Sequence, residues 1–295
     1  MANLTEKLIF SFGESLWDCL PDGRQPGGAP MNIALHLHRL GAPVRLISRI
    51  GEDALGQELA DYLRQHSLHL DFLQTDPIHP TGTVAVTLAE NGDAAYDIVQ
   101  PVAWDFIAEE AALQAVEQNM IVYSSLASRN ETSRNTLLHL LPRTSFRAFD
   151  LNLRPPFYDQ ELIETLGRKA DLLKMNGEEF ALLKAWYGAK DVSAEEALKK
   201  ISTALENPMI CVTAGSEGAW LLQEGQVYFQ PAFKVQVKDT IGAGDAFLAA
   251  LLKQLLESAP PQQCLQYACA VGAFVASKEG ANPAYTPQDI DAMLR

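Results

Sequence analysis

The run Lys238-Asp239-Thr240-Ile241-Gly242-Ala243-Gly244-Asp245-Ala246-Phe247 sets a carboxylate among small residues. A nearly all-apolar stretch, 246–256, follows it and reads as a helix. Upstream, Phe233, Val235 and Val237 alternate with Lys234, Gln236 and Lys238, which predicts a strand leading into the turn. Small residues at a helix start leave its first backbone N–H groups bare, and with the helix dipole those groups form an anion site. A carboxylate is an odd companion for simple anion binding. It suits a base that deprotonates an alcohol beside a phosphoryl group. A second reading of the same stretch is close packing at a buried helix start, with Asp245 as ordinary dipole chemistry. Phe247 stands where the third glycine of Gly-x-Gly-x-x-Gly would fall, and no Gly-x-x-x-x-Gly-Lys-Ser/Thr string occurs.

The elements that must carry such a site are legible as a rhythm. Strand-like apolar runs at 8–12, 44–50, 120–123, 147–151, 171–175 and 209–213 alternate with helix patterns. The helix patterns fall at 31–40, 54–65, 109–118, 135–141, 178–187 and 194–205. That order predicts an α/β sandwich of three layers, with a mostly parallel central sheet covered on both faces. Pro30 at a helix start and Gly41 past its end punctuate the pattern. The segment 83–89, Asn91-Gly92 and 94–99 breaks the rhythm and reads as a hairpin projecting from the main sheet. With no linker or repeat, the 295 residues are expected to form one domain plus this hairpin.

A net charge of −14 argues against nucleic acid and anionic membranes as partners. An anionic nucleotide must then be held by local dipoles and a few cations. No apolar run reaches membrane-spanning length and the first residues lack a basic-then-apolar pattern, so a cytoplasmic location is expected. Cys19, Cys211, Cys264 and Cys269 lack zinc-ligand spacing and read as free thiols. His36 and His38 differ by two positions on one helix and face apart, so core or solvated roles are expected for them.

Asp239-Thr240-x-Gly242-Ala243-Gly244-Asp245-Ala246-Phe247 resembles the C-terminal signature of the PfkB-type, ribokinase-like carbohydrate kinases. A second string of that family lies toward the other end: Pro26-Gly27-Gly28-Ala29-Pro30-Met31-Asn32-Ile33-Ala34, followed by Arg39-Leu40-Gly41. Further matches make the similarity run through nearly the whole chain. The resemblance implies a ribokinase-like fold over 1–295, with strands at about 13–26 and 82–100 forming a small β lid over the sugar. It implies transfer of the γ-phosphate of ATP to a hydroxymethyl group of a small sugar, with Mg2+, and a monomer or a homodimer joined through the lid. Gly13-Glu14-x-Leu16-x-Asp18, Gly27-Gly28-Ala29-Pro30-x-Asn32 and Asn152-Leu153-Arg154 together look most like fructokinases. The segment between Asp18 and Gly27 is shorter than fructokinases usually have, and Tyr96-Asp97-Ile98-Val99 replaces a common aromatic-rich string ending in Arg. Kinases of 2-keto-3-deoxygluconate, ribose or a nucleoside stay open, as does a sugar-binding homologue without turnover.

The resemblance carries roles onto matching positions. Asp245 is the expected base, and the N–H groups around Gly242, Ala243 and Gly244 are expected to stabilise charge on the γ-phosphate. Asp18 is expected to grip two sugar hydroxyls, Gly27 and Gly28 to let the backbone approach the sugar, and Asn32 to donate to it. Asp150-Leu151-Asn152-Leu153-Arg154 resembles the family's Asp-Pro-Asn-x-Arg, with Leu151 at the proline position. Asn152 is placed at the substrate, and the planar fork of Arg154 suits a phosphoryl or sugar oxygen. Asn176-Gly177-Glu178-Glu179 matches Asn-x-x-Glu, implying magnesium and phosphate ordering, with Glu179 acting through water; the same spacing is that of a helix capping box. Thr213, Gly215 and Gly218 resemble the nucleotide-binding turn. Gly272 falls on the adenine-side helix, where Cys269 replaces a frequent Asn. Asp239 is the position implied for a monovalent cation such as K+.

Overall fold

The computed structural model describes residues 4, 7–20, 23–88 and 94–295. The chain opens with β1 (Ile9–Phe12), β2 (Leu16–Leu20), β3 (Gly23–Gly27) and α1 (Ala29–Arg39). It continues through β4 (Val44–Gly51), α2 (Ala54–Gln65), β5 (Leu73–Asp76), β6 (Gly82–Leu88) and β7 (Ala94–Ile98). Next come β8 (Met120–Ser124), α3 (Glu131–Leu140), β9 (Phe146–Asp150), α4 (Gln160–Gly167) and β10 (Leu172–Asn176). The rest is α5 (Gly177–Trp186), α6 (Ala194–Leu205), β11 (Met209–Thr213), β12 (Gly218–Gln223), β13 (Gln226–Pro231), α7 (Ala243–Leu256), α8 (Pro261–Ala276) and α9 (Pro287–Met293).

Successive side chains of a strand point to opposite faces, and that alternation makes two cores from one sheet. Met120 and Val122 of β8 enter one apolar cluster while Ile121 and Tyr123 enter the other. The first cluster is closed by α1, α2, α7 and α8, the second by α3 to α6. The large sheet runs β13-β12-β11-β10-β9-β8-β1-β4-β5. It is parallel from β11 to β5, and β12 and β13 extend it antiparallel. A smaller sheet, β3-β2-β6-β7, stands apart. Within it β2 pairs parallel with β6, while β3 and β7 flank them antiparallel. This is the expected α/β sandwich, a large mostly parallel sheet with a second small one.

Two expectations are overturned. Residues 233–238 form no strand: β13 ends at Pro231 opposite Gly218, the first residue of β12, so the alternating stretch beyond has no ladder to join. Phe233 packs against the first core, Val237 is 60% exposed, and the Lys238 amide donates to Ala276 O at 2.9 Å. The helix expected at 109–118 is a 3-10 turn, Ala111–Val116, that buries Leu113 and Val116. A spacing of three fits the tighter 3-10 winding, and so short an apolar face cannot support a full α-helix. Strands β6 and β7 pair as a hairpin should, but the Asn91-Gly92 turn lies outside the described residues. All four cysteines are free.

Candidate active site

Parallel strands deliver their C-terminal ends to one edge of a sheet. Here β1 leads to Gly13 and Glu14, β9 ends at Asp150, β10 at Asn176 and β11 at Thr213. Register places Asn176 beside Thr213 and Lys174 beside Asp150. β1 lies between β8 and β4, where the strand order reverses, and the crevice outside such a point is where open α/β sheets bind ligands.

The first turn of α7 stands over that crevice. Gly242 is its N-cap with φ 73°, and a Cβ there would lie 2.6 Å from Ala281 O, so only glycine fits. No side chain caps the helix. The Ala243 amide turns back onto Thr240 O at 3.3 Å, which leaves the Gly244 and Asp245 amides as the better donors to a ligand. Asn32, expected to face the sugar, donates from Nδ2 to Asp245 Oδ2 at 2.8 Å, and its Oδ1 accepts from Asn282 Nδ2 at 2.6 Å. Burial pushes the Asp245 carboxyl up to about 6. The Asn32 hydrogen bond opposes this, the Asp150 charge adds to it, and Lys174 and Arg154 pull the other way.

Lys174 is one residue that sequence reasoning missed. Its Nζ lies 3.0 Å from Asp150 Oδ1, with the two side chains only 7% and 1% exposed. It stands on the face of β10 that carries Leu172 into the α7 core, so a lysine replaces an apolar residue there. Such a break in a buried alternation was the available signal. Burial works to discharge the ammonium, but the Asp150, Glu179 and Asp245 charges outweigh it and hold its pKa above the ordinary value. A Cβ on Gly244 would sit 3.4 Å from Nζ, so a fixed positive charge lies directly beneath the first turn of α7.

Asn176 and Glu179 do form the capping box: Glu179 N donates to Asn176 Oδ1 at 2.9 Å and Asn176 N to Glu179 Oε2 at 2.8 Å. Glu179 Oε1 also accepts from Leu153 N at 2.8 Å, tying α5 to the segment after β9. Burial, then the Asp150 charge, raises the Glu179 pKa. Both carboxylate oxygens are engaged, and no group of three or more His, Cys, Asp or Glu among the described residues is arranged to hold a metal ion. With both oxygens held by backbone amides, Glu179 suits ordering a water of a magnesium ion and not binding one directly, and magnesium commonly keeps its waters. Asp239 accepts from Ile241 N at 2.9 Å and Gly280 N at 3.0 Å, and so joins the turn before α7 to the loop after α8.

On the other side of Asp245 lie the residues of the first strands. Glu14, also missed, is 2% exposed and accepts from Ser124 Oγ at 3.4 Å. Burial lifts its pKa to about 7. Asp18 sits on β2, not in a turn, and burial lifts it to about 6 against the pull of Arg154. Gly28 has φ 108°, and a Cβ there would come 2.5 Å from Glu14 O. The Gly27 backbone packs against the Asp18 carboxylate. Asn152 adopts φ 42°, and Arg154 is exposed, its Nη1 donating to Leu153 O at 3.0 Å. Thr213 Oγ1 reaches Met175 O at 3.5 Å, and Gly215 has φ 54° and Gly218 φ 124° in the turn that follows. Gly272 is buried, and a Cβ there would lie 3.3 Å from both Ala243 O and Phe247 Cβ, so it lets α8 pack closely on α7.

The family model described as pfkB family carbohydrate kinase matches residues 5–288. A fructokinase of Klebsiella pneumoniae is 30% identical over 304 residues, which span 95% of this chain and 97% of that protein. The crystal structure of the fructokinase from Vibrio cholerae O395 in its fructose-, ADP- and calcium-bound form superposes with a TM-score of 0.84 at 25% identity over 100% of both chains. A fructokinase of Xylella fastidiosa with bound ATP superposes with a TM-score of 0.85 at 22% identity, over 98% of each chain.

Proposed function

The chain belongs to the pfkB family of carbohydrate kinases, and on that premise we propose that it transfers the γ-phosphate of ATP to a hydroxymethyl group of fructose. Asp245 carries this assignment: a carboxylate and the bare amides of one helix start share a crevice, above a buried ammonium. Asp245 takes the proton of the attacking hydroxyl, which fixes the direction of attack. The Gly244 and Asp245 amides, with the turn Gly242-Ala243-Gly244 around them, receive the negative charge of the transferring group. One such donor is typically worth ~3 kcal/mol in the transition state. Lys174 adds a charge that needs no reorganisation, and the exposed Arg154 fork is free to close on a phosphoryl or sugar oxygen.

Asp18 and the Gly27-Gly28 backbone hold the sugar hydroxyls together with Asn152, while the small sheet acts as a lid over them. Thr213, Gly215 and Gly218 form the nucleotide side with Asn176. Magnesium bound to the triphosphate neutralises phosphate charge, with Glu179 ordering its water; Asp239 is the residue for a monovalent cation such as K+. Fructose is favoured because both the K. pneumoniae relative and the V. cholerae structure are fructokinases, the latter with fructose bound.

Coupled ADP release over fructose, ribose, 2-keto-3-deoxygluconate and nucleosides, with and without potassium, tests the substrate. Fructose among the slowest acceptors would end that assignment and leave the kinase itself standing. Asp245→Asn should lower turnover by at least a thousandfold while fructose still binds in calorimetry. Undiminished turnover would remove Asp245 as the base.

A further inference from the structure

An asparagine amide has one end that donates and one that accepts, and a carboxylate can only accept. Which end of Asn32 meets Asp245 is therefore decided by what meets its other end. Asn282 Nδ2 donates to Asn32 Oδ1 at 2.6 Å, and Asn32 Nδ2 donates to Asp245 Oδ2 at 2.8 Å. The three side chains come from the loop after α8, from α1 and from α7. We propose that Asn282 is a positioning residue, which locks the Asn32 amide so that its NH2 group faces the Asp245 carboxylate. This rests on the reading of Asp245 as the base.

The loop bearing Asn282 is itself tied down on both flanks. Gly280 N donates to Asp239 Oδ2 at 3.0 Å, and Ala281 O lies 3.0 Å from His36 Nε2. His36 Nδ1 lies 2.9 Å from Tyr285 Oη. Burial, then Arg39, lowers the His36 pKa to about 3, so the ring is neutral. A neutral ring has one donor and one acceptor, so Nε2–H donates to Ala281 O and Nδ1 accepts from Tyr285. Asn282 is thus held at a set height above Asn32. Without it, the Asn32 carbonyl loses the donor that it has among the described residues and the amide is free to turn. Turned, it would present oxygen to oxygen at Asp245 and favour the protonated carboxyl. The other groups that bear on Asp245 are Glu14 after β1, Asp150 on β9, Arg154 after it and Lys174 on β10. None of these belongs to the Asn282 loop.

The test is the pH profile of kcat/KM for the intact chain, Asn282→Leu, Asn282→Ala, Asn32→Leu and the double variant Asn32→Leu/Asn282→Leu. Each Asn282 variant should move the acid limb upward by about half a unit to one unit, with a several-fold larger loss at pH 6 than at pH 8. In the Asn32→Leu background the Asn282→Leu change should add no further shift. An acid limb left in place by both Asn282 variants would overturn the proposal. So would a shift of the same size with Asn32 already gone, since Asn282 would then act elsewhere. Asp245→Asn, measured alongside, separates the two readings. Turnover retained there sinks the base assignment, whereas turnover lost with unmoved acid limbs sinks only the role of Asn282.

Discussion

Glu14, Asp18 and Asp245 all hold their protons to higher pH than free carboxyls do, to about 7, 6 and 6, because burial penalises the charged form. A raised acid pKa means that the folded chain binds protons which the unfolded chain has released. Stability from these groups is therefore greatest at low pH and falls as pH rises from near their ordinary values of 3.8 and 4.5 through about 7. Glu14→Gln should raise the unfolding free energy from urea melts at pH 8 by on the order of 1–3 kcal/mol, and leave it nearly unchanged at pH 4.5. An equal effect at both pH values would show that ionisation is not the cause. Catalysis runs the opposite way: Asp245 must be ionised to accept a proton, so kcat/KM should fall below about pH 6. Lys174 can be separated from plain stability. Lys174→Met strands a buried Asp150 charge at a cost of ~3–5 kcal/mol in denaturant melts. Adding Asp150→Leu should recover much of that stability without restoring turnover, and recovered turnover would make the pair purely structural.

At the scale of elements, Asn176 and Gly242 stand at ends that their own sequence marks. Asn176 ends β10 and caps α5 at once, so Asn176→Ala should cost ~1 kcal/mol in thermal melts by leaving the Glu179 amide without its side-chain acceptor. Gly242 starts α7 in the left-handed region against Ala281. Gly242→Ala adds ~1–2 kcal/mol of backbone strain to that contact and tilts the first turn. Both stability and ADP release should fall, and a variant as stable and active as the parent would show that the turn has room. Element reading from sequence did well where periodicity was long: 54–65 and 194–205 match α2 and α6. It failed at 233–238 and at 109–118. A strand needs a neighbour to ladder with and an α-helix needs a face to bury, and neither partner is written in the segment itself.

Across the whole molecule, the small sheet is fastened to the large one in two unequal ways. Trp17 Nε1 on β2 donates to Leu55 O at 3.0 Å, and Arg24 on β3 stacks 5.3 Å over Trp17 while pairing with Glu58. At the far end Arg129 lies between Trp104 and Phe157, 4.0 and 4.7 Å from the rings, and pairs with Asp105 at 2.8 Å. It also donates to Val99 O at 2.7 Å, just past β7. The Arg24–Glu58 pair is about half exposed, 46% and 48%, and such pairs contribute ~0–1 kcal/mol. Arg129 and Asp105 are 3% and 2% exposed, so Arg129→Ala leaves a buried charge unpaired at ~3–5 kcal/mol. In paired thermal melts Arg129→Ala should lose far more than Arg24→Ala; equal losses would contradict this ranking.

Two strings near opposite ends of the sequence were enough to assign the reaction, and the spacing of apolar runs was enough to assign a covered parallel sheet. The first rests on the family resemblance of those strings, the second on local spacing, because helix and strand periods repeat over a few positions. Only the tertiary structure joined Asn32 to Asp245 across 213 positions, placed Lys174 under the first turn of α7, and buried Glu14 so that its pKa rises to about 7. Desolvation and charge–charge energies depend on which distant segments pack together, and no window along the chain contains that information.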